Sequence, residues 1–429
     1  MWGFPTIATL AVLAFVYFCV VTDRLDKAKA AFFGGVLLIA VGVTSLEEAW
    51  RYFIDFETIG LLVGMMLIAG VIGQTGVFQF VALRAVRLTR GRYGLLLVAL
   101  SVITAVSSAF LDNVTTILLL GPVAVFAADA LHHKPYLLLV ALTLAANIGG
   151  TATLIGDPPN MLIGSAAGLG FHSFVANTGP PSILALAVSL GYLFVARRDE
   201  LRPTGRTISA ESFDETRYIQ DRPTLAVSLV VLGLVLVGFV VLPTFGVTPA
   251  SVALVGAGVL MLVNRSKPRE LLSHIEWPLI FFFLGLFVIT GALEKVGLIV
   301  VVGRFFASLT PNPFWFCIAI LWVSSFGAAF LSAVPFITVM IPITAAAVAH
   351  LGLGPAAAEP VWWALSLGAC IGGNGTLIGS ACNMAMSAIS ERTPEPVNFR
   401  SYFRLGFPAM VLAQLVSSLY LWLRYFAFQ

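Results

Sequence analysis

Long apolar segments separated by short polar ones run along the whole chain. An α-helix needs about 20 apolar residues to cross about 30 Å of hydrocarbon, and the apolar segments recur at about that length. The pattern predicts ten full crossings, five in each half of the chain. The predicted crossings are residues 4–22, 30–43, 58–78, 136–168, 180–196, 224–242, 250–263, 278–293, 361–389 and 405–423.

Two longer apolar stretches, residues 93–131 and 313–350, lie between the third and fourth crossing of each half. Polar or kinking residues interrupt each stretch midway, at Asp112 and Asn113 in the first stretch and from Ser332 onward in the second. Two helical arms that meet at such an interruption predict a re-entrant hairpin, which enters and leaves the membrane on one side.

The composition excludes a soluble protein. Of the 429 residues, 59% are hydrophobic and only 10% are charged, whereas about a quarter of the residues in a soluble domain are charged. No Lys/Arg cluster is interleaved with aromatic residues, so nucleic-acid binding is excluded. The sequence has no GxxxxGKS or GxxxxGKT loop for ATP, and its four cysteines form neither a disulfide framework nor a metal-site pattern. We therefore expect an integral membrane protein that is not an enzyme and holds no metal or cofactor.

Basic residues are distributed unevenly between the two predicted sides of the membrane. With both long stretches treated as hairpins, 20 of the 24 Lys and Arg residues fall on one side. Cytoplasmic loops carry the excess of positive charge, so this side is predicted to face the cytoplasm. Both termini are then extracytoplasmic, and the chain is expected to lie in the inner (plasma) membrane. The polar segment 201–223 becomes a cytoplasmic linker between two units, residues 1–200 and 224–429.

An internal repeat relates the two halves. The motif NIGGTATLIGDPPNMLI at residues 147–163 is identical to CIGGNGTLIGSACNMAM at residues 370–386 in nine of 17 positions. Upstream, AFLDNV at residues 109–114 aligns with AFLSAV at residues 329–334. Each half has five crossings, an odd number, so the two halves must have opposite orientations in the membrane. Inverted repeats with a solute site between discontinuous helices are the architecture of secondary transporters.

Glycines and prolines predict that the crossings at 136–168 and 361–389 are each discontinuous. Gly156 and Pro158 in the first half, and Gly379 in the second, should unwind the helix near its centre. Freed backbone groups inside a membrane are tolerated where they line a cavity or pack within protein. A purely structural kink is the alternative, but two matched breaks favour a solute site. The candidate solute ligands are Asn113, Thr115, Thr116, Asn147, Gly150, Thr151, Thr153, Asn160, Ser332, Asn374, Thr376, Ser380, Cys382 and Asn383.

Asp112 and Asp157 are predicted to be the only carboxylates deep within the apolar segments. A charged aspartate at the centre of a bilayer costs about 3 kcal/mol or more, so both are candidate proton carriers. The structural alternatives are that Asp112 caps the second arm of its hairpin and that Asp157 caps the second half of its broken helix. The thiols of Cys370 and Cys382 are candidate ligands for trivalent arsenic, although cysteine is also an ordinary packing residue in helices.

The motif pair SSAFLDNVTT at residues 107–116 and NIGGTATLIGDPPN at residues 147–160 resembles the ion transporter superfamily. Within it, the resemblance is to the branch of arsenite permeases, NhaD-type sodium/proton antiporters and P-protein transporters, and it extends over nearly the whole chain. The resemblance implies an all-α fold of two inverted five-helix repeats with re-entrant hairpins and discontinuous helices. It also implies a scaffold domain, often dimeric, and a transport domain that moves as an elevator.

One departure from that pattern affects the expected solute. The antiporter and P-protein members have a second Asp-Asn pair at the tip of the second hairpin, whereas this chain has Ser332 and Ala333. Carboxylates then come from the first half only, which suits a small neutral solute better than a cation. We expect proton-coupled efflux of arsenite or antimonite, driven by the proton motive force, with a separate ATPase subunit as a possible partner. The alternative is a sodium/proton antiporter in which Asp112, Asn113 and Thr115 bind Na⁺.

Two further classes differ in kind from a carrier. An intramembrane aspartyl protease would use two aspartates, but its motif requires a glycine where this chain has Leu154. A channel could form from the same broken helices if both gates opened together. Uphill transport is the property that separates a carrier from a channel.

Overall fold

The computed structural model describes residues 3–22, 24–201, 219, 221–264 and 267–427. These residues form helices and connecting turns, with no β-strand among them. Eight of the described helices are long and apolar enough to cross a membrane. The predicted all-α membrane fold is therefore confirmed.

The helices of the first half include two hairpin arms and two halves of a broken helix. They are Phe4–Thr22, Lys27–Ala40, Leu46–Glu48, Phe56–Gln74, Val77–Leu88, Tyr93–Ser108, Asn113–Ala130, Tyr136–Thr151, Pro158–Ala167 and Phe171–Ala196, with a π-helical turn at Ala49–Phe53.

The second half repeats this order of elements. Its helices are Arg222–Val241, Pro249–Val263, Pro268–Leu272, Trp277–Lys295, Leu298–Leu309, Pro313–Leu331, Ala333–His350, Pro355–Gly372, Ala381–Ser390 and Phe399–Tyr425, with 3₁₀ turns at Leu242–Phe245, Gly373–Gly375 and Leu377–Gly379. Most of the predicted linker, residues 202–218 and 220, lies outside the described residues. The proposed unit boundaries therefore stay predictions.

Both predicted discontinuities are present. The first broken helix consists of Tyr136–Thr151 and Pro158–Ala167, and the second consists of Pro355–Gly372 and Ala381–Ser390. Proline removes a backbone donor and fixes φ, so it is tolerated in the first turn of a new helix segment. Pro158 accordingly begins the second segment of the first broken helix.

The crossing predicted at residues 180–196 begins nine residues earlier, as the helix Phe171–Ala196. This helix passes through Pro180, which lacks the N–H that would bond to the carbonyl four residues before it. That carbonyl belongs to Ala176, and the hydroxyl of Tyr420 donates to it at 3.5 Å. A neighbouring helix therefore supplies a partner that the sequence pattern does not reveal.

Two amphipathic helices, Val77–Leu88 and Leu298–Leu309, follow the third crossing of each half. The third crossing was predicted to extend to residue 78, but its helix ends at Gln74. In both halves a glycine with positive φ begins the amphipathic helix, Gly76 at +78° and Gly297 at +77°. A left-handed turn of this kind favours glycine, and the shared turn is a further sign of the repeat.

The third crossing of each half packs against the second crossing of the other half. Lys27–Ala40 contacts Trp277–Lys295, and Pro249–Val263 contacts Phe56–Gln74. We call these four helices the crossed helices. At one contact a Cβ atom on Gly285 would lie 2.2 Å from the Ala31 carbonyl oxygen, so the close approach requires glycine. This exchange of equivalent helices gives the two halves a common core.

Each hairpin packs its first arm against the broken helix of its own half. Tyr93–Ser108 contacts Tyr136–Thr151, and Pro313–Leu331 contacts Pro355–Gly372. A Cβ atom on Gly149 would lie 2.2 Å from the Ala105 carbonyl oxygen. The glycines of the repeated motif therefore let the hairpin backbone approach the break closely, which brings the hairpin tips beside the breaks.

Candidate functional site at the two helix breaks

The amide of Asn160 satisfies the carbonyls freed by the first break. Its Nδ2 donates to the carbonyl oxygens of Gly150, Thr151 and Thr153 at 3.4, 3.1 and 2.8 Å. The side chain is fully buried. Without this donor, each buried carbonyl would cost about 1–3 kcal/mol, so Asn160 holds the unwound segment in its conformation.

Asn383 does the same at the second break. Its Nδ2 donates to the carbonyl oxygens of Gly373 and Thr376 at 2.8 and 2.7 Å, and its side chain is also fully buried. Asn160 and Asn383 occupy equivalent positions of the repeated motif. Asparagine therefore occurs at both positions because equivalent carbonyls need a hydrogen-bond donor in each half.

Each break also holds the tip of its hairpin. The hydroxyl of Thr153 donates to the carbonyl of Ala109 at 2.5 Å, and the hydroxyl of Thr376 donates to the carbonyl of Ala329. Both acceptors lie where the first hairpin arm ends. The two repeat threonines therefore tie the hairpin tips to the breaks.

Asn147 joins the two halves at the centre of the molecule. Its Nδ2 donates to the Oδ1 atoms of Asn374 and Asn383 at 2.8 and 2.9 Å. Its Oδ1 accepts a hydrogen bond from the hydroxyl of Ser380 at 3.0 Å. Asn147 is 1% exposed, so these bonds are shielded from solvent, and they join the second break to the first broken helix.

Asn113, beside the tip of the first hairpin, extends this network. Its carboxamide lies 3.2 Å from that of Asn147 and 2.5 Å from the hydroxyl of Ser108. With its amide turned by half a rotation, its nitrogen donates instead to the carbonyls of Ala146 and Gly156, both at 3.1 Å. The network thus runs from the first hairpin tip to the second break.

The two hairpin tips have opposite hydrogen-bonding character. Asp112 caps its helix, because its Oδ1 accepts a hydrogen bond from the Thr115 amide at 2.8 Å, and its carboxylate presents acceptors. Ser332, at the equivalent position, makes no capping hydrogen bond. The first-turn amides of Ala333 and Val334 therefore remain uncapped donors.

Ser332 also has an unusual backbone conformation. Its φ of +70° lies in a region that costs a residue other than glycine about 1–3 kcal/mol. Its side chain is 8% exposed, and its hydroxyl has no hydrogen-bond partner among the described residues. The strained conformation leaves this hydroxyl beside the uncapped helix terminus.

Both tips line one cavity of about 360 Å³. The cavity also contacts the two breaks and the ends of two crossed helices. Its polar lining consists of Asp26, Lys27, Asp112, Asn113, Asp157, Glu276, Ser332, Cys370 and Ser380. Two hairpin tips and two breaks therefore meet at a single candidate site, as the inverted repeat predicts.

Asp157 faces this cavity and does not cap a helix. It precedes the segment Pro158–Ala167, but its side chain makes no capping hydrogen bond. The structural alternative considered from the sequence is therefore wrong. The carboxylate lies close to the Cys370 thiol and the Asn113 carboxamide, and the residue is only 8% exposed.

Besides Asp112, Asp157 and the exposed Asp26, the cavity has a further carboxylate, Glu276, which the sequence analysis missed. Glu276 precedes the predicted crossing 278–293, so the expectation that Asp112 and Asp157 are the only carboxylates deep within the apolar segments stays a prediction. The expectation that the site takes carboxylates from the first half only is wrong, because Glu276 lines the cavity from the second half. In the repeat, Glu276 in IEW aligns with Asp55 in IDF. Asp55 caps its helix through Thr58, but the residue at the equivalent position after Glu276 is Leu279, and Glu276 makes no capping bond. That difference between Thr58 and Leu279 is the signal in the sequence.

Several predicted ligands lie behind the cavity lining. Thr151 donates its hydroxyl to the Asn147 carbonyl, and Thr115 uses its amide to bind Asp112. The hydroxyl of Thr116 is buried without a partner among the described residues. Cys382 is fully buried and packs in the core with Met386. We therefore assign these residues a structural role around the site and no direct contact with the solute.

The sequence matches a family of transporters. The sequence model of the family described as citrate transporter, CitMHS, matches residues 17–368. The uncharacterized transporter Rv2684 of Mycobacterium tuberculosis is 36% identical over 98% of this chain and 99% of its own length. The human P protein is 32% identical over 97% of this chain, which corresponds to 59% of that longer protein.

Two solved structures share the fold at low sequence identity. The YdaH transporter of Alcanivorax borkumensis has a TM-score of 0.62 and 15% identity, over 97% of this chain and 98% of that chain. MtrF of Neisseria gonorrhoeae, from a class of antimetabolite efflux pumps, has a TM-score of 0.61 and 13% identity, over 100% of this chain and 96% of that chain. These similarities support the transporter architecture.

Proposed function

Because this chain belongs to the CitMHS family of transporters, we propose that it is a proton-coupled secondary transporter that exports trivalent arsenic or antimony as the neutral acid. The observation that carries this proposal is the opposite hydrogen-bonding character of the two hairpin tips. Asp112 offers acceptor oxygens, whereas Ser332 and the following amides offer donors.

Arsenous acid, As(OH)₃, fits a cavity with donors on one side and acceptors on the other. Each of its hydroxyl groups both donates and accepts hydrogen bonds. Its hydroxyls can donate to the carboxylate of Asp112 while its oxygens accept from the Ser332 tip. Citrate, which gives the family its description, is multiply negative, and the carboxylates that line the cavity would repel it.

Asp112 is the proposed carrier of the coupling proton, with Asp157 as its neighbour in the same cavity. The carboxylate of Asp112 lies at a hairpin tip, where a moving transport domain would carry it between the two sides. A charged carboxylate inside a membrane is costly when neither a proton nor a solute is bound to it. Proton binding or solute binding removes that cost, and this preference would couple the two processes.

The cavity supports an inward-facing orientation. It reaches Asp26 and Glu276, which lie in segments whose neighbouring basic residues predict the cytoplasmic side of an inner membrane. A second cavity of about 280 Å³ is lined by Thr58 and Thr248, at the equivalent ends of the other two crossed helices. We propose that an elevator motion of the hairpins and broken helices exposes the site alternately at these two places.

A sodium/proton antiporter is the second candidate, and Glu276 is the observation that favours it. It adds a second-half carboxylate to Asp112 and Asp157 in the cavity, and carboxylate oxygens suit Na⁺ as hard ligands. The second half thus restores an acidic group that the Ser332 tip lacks.

Expression in a host without its own exporters tests the proposal. Cells that produce the chain should tolerate several-fold higher arsenite and should retain less arsenic, measured by elemental analysis. Sodium or lithium tolerance and citrate uptake should match those of cells with an empty vector. Protection from sodium or lithium without protection from arsenite would favour the antiporter, and citrate uptake alone would overturn both candidates.

A pair of cysteine variants tests whether thiols bind the solute. Cys370 lines the cavity, whereas Cys382 is fully buried in the core. We expect Cys382→Ala to leave the concentration dependence of arsenite export nearly unchanged, because a strong As–S bond would slow release. Cys370→Ala serves as the matched comparison, and it should change the apparent arsenite affinity by only a few-fold. A loss of 100-fold or more in apparent affinity in either variant would indicate direct thiolate binding.

A further inference from the structure

Each helix break contains backbone carbonyl oxygens arranged around one amide nitrogen. Three carbonyls surround the Nδ2 atom of Asn160, and two surround the Nδ2 atom of Asn383. Both asparagines are fully buried. The internal repeat relates the two arrangements. We therefore treat them as one structural feature that occurs in both halves.

Such groups of carbonyl oxygens are ordinary ligands for hard cations. In transporters with discontinuous helices, unwound carbonyls coordinate the coupling Na⁺, and oxygen ligands suit cations of this type. An amide NH₂ group presents two positively polarised hydrogens. It can therefore form hydrogen bonds to the same oxygens that would otherwise coordinate a cation.

Both amides are held in place from their oxygen side. The Oδ1 atom of Asn160 accepts hydrogen bonds from the Ser366 hydroxyl at 2.6 Å and from the Cys370 thiol at 3.3 Å. The Oδ1 atom of Asn383 accepts from Asn147 at 2.9 Å. A cation could enter either cage only if the amide rotated away and broke bonds on both sides of its side chain.

We propose that the amides of Asn160 and Asn383 take the place of Na⁺ at the two helix breaks, so that neither break binds Na⁺. This inference rests on the proposed proton-coupled function and names the residues that keep Na⁺ out of the coupling. It concerns the breaks alone and does not extend to the carboxylates that line the cavity.

Aspartate substitutions convert each cage into a candidate Na⁺ site. Asn160→Asp and Asn383→Asp keep the shape of the side chain, remove both donors and add a negative charge among the carbonyl oxygens. The purified variants and the wild-type chain are unfolded thermally at alkaline pH, in NaCl and in KCl of equal concentration. The readout needs no transported solute, so it does not depend on whether arsenite is exported.

We expect the wild-type chain to unfold at the same temperature in both salts. Each aspartate variant should be stabilised by Na⁺ over K⁺, with an effect that saturates as the Na⁺ concentration rises. Asn177→Asp is the matched control, because the Asn177 amide donates to only one carbonyl, that of Ser173. This control should show no difference between the salts.

Two results would overturn the inference. One is a saturable Na⁺-specific stabilisation of the wild-type chain that the aspartate variants weaken. The other is the absence of any Na⁺-specific stabilisation in variants that fold. If the aspartate variants cannot be purified, Asn160→Ser and Asn383→Ser replace them, since serine withdraws the amide and leaves the carbonyls free to bind Na⁺.

Discussion

Asp112→Asn is expected to abolish arsenite accumulation driven by a pH gradient while leaving the protein folded. Asparagine retains an Oδ1 atom that can cap the helix through the Thr115 amide, which Asp112 bonds at 2.8 Å. It cannot bind or release a proton near neutral pH. The initial rate of uphill arsenite uptake should fall at least 100-fold in proteoliposomes, and the thermal unfolding temperature should change little.

The control for this variant lies at the other end of the same helix. Asp129 is exposed, and Asp129→Asn removes a carboxylate from the hairpin without reaching the cavity. We expect it to transport at the wild-type rate. If Asp112→Asn kept the pH dependence of the wild-type chain, Asp112 would not be the carrier of the coupling proton.

Asn147→Ala is expected to cause the largest loss of stability among substitutions in the site. It removes the donor to Asn374 and Asn383 and the acceptor for Ser380. Each buried polar group left without a partner costs about 1–3 kcal/mol, so the total should be about 3 kcal/mol or more. Chemical or thermal unfolding in detergent measures this loss, and transport should fall with it.

Asn177→Ala is the matched control for Asn147→Ala. Asn177 is also a buried asparagine, but it makes one hydrogen bond to another helix, from the Tyr425 hydroxyl at 2.6 Å. Its replacement should cost much less than that of Asn147. Equal losses in the two variants would mean that the central network does not hold the two halves together.

The main features of the fold could be predicted from particular residues. The interruption at Asp112 marked the first hairpin tip, and Gly156 with Pro158 marked the first break. These features depend on local backbone chemistry, because proline and glycine act on the turn in which they stand. The repeated motif then supplied the inverted arrangement of the two halves.

The amphipathic helices after Gly76 and Gly297 were missed for a different reason. A search for segments long enough to cross the membrane extends the third crossing to residue 78 and does not look for helices along the surface. The period of the apolar residues in Val77–Leu88 could have identified the first of these helices, since one face is apolar and the other is polar.

The contacts of the site could not be predicted, because they join residues distant in the chain. Asn147 bonds to Asn374, which lies 227 positions away, and no local pattern specifies that pairing. The exposure of Glu276 to the cavity depends on the packing of the crossed helices. The different roles of Asp157, which faces the cavity, and Asp112, which also caps a helix, depend in the same way on tertiary structure.

Arsenite accumulation in proteoliposomes with an acidic lumen tests the proton-coupled transport most directly. The purified chain is reconstituted without Na⁺, an outward proton gradient is imposed, and internal arsenic is measured against time. A difference of 2 pH units allows up to about 100-fold accumulation for one-to-one exchange, since each pH unit corresponds to about 1.4 kcal/mol. We predict an internal concentration several-fold above the external one, which collapses when a protonophore is added. Arsenite that only equilibrates across the membrane, or does not enter, would contradict a proton-coupled carrier for this solute.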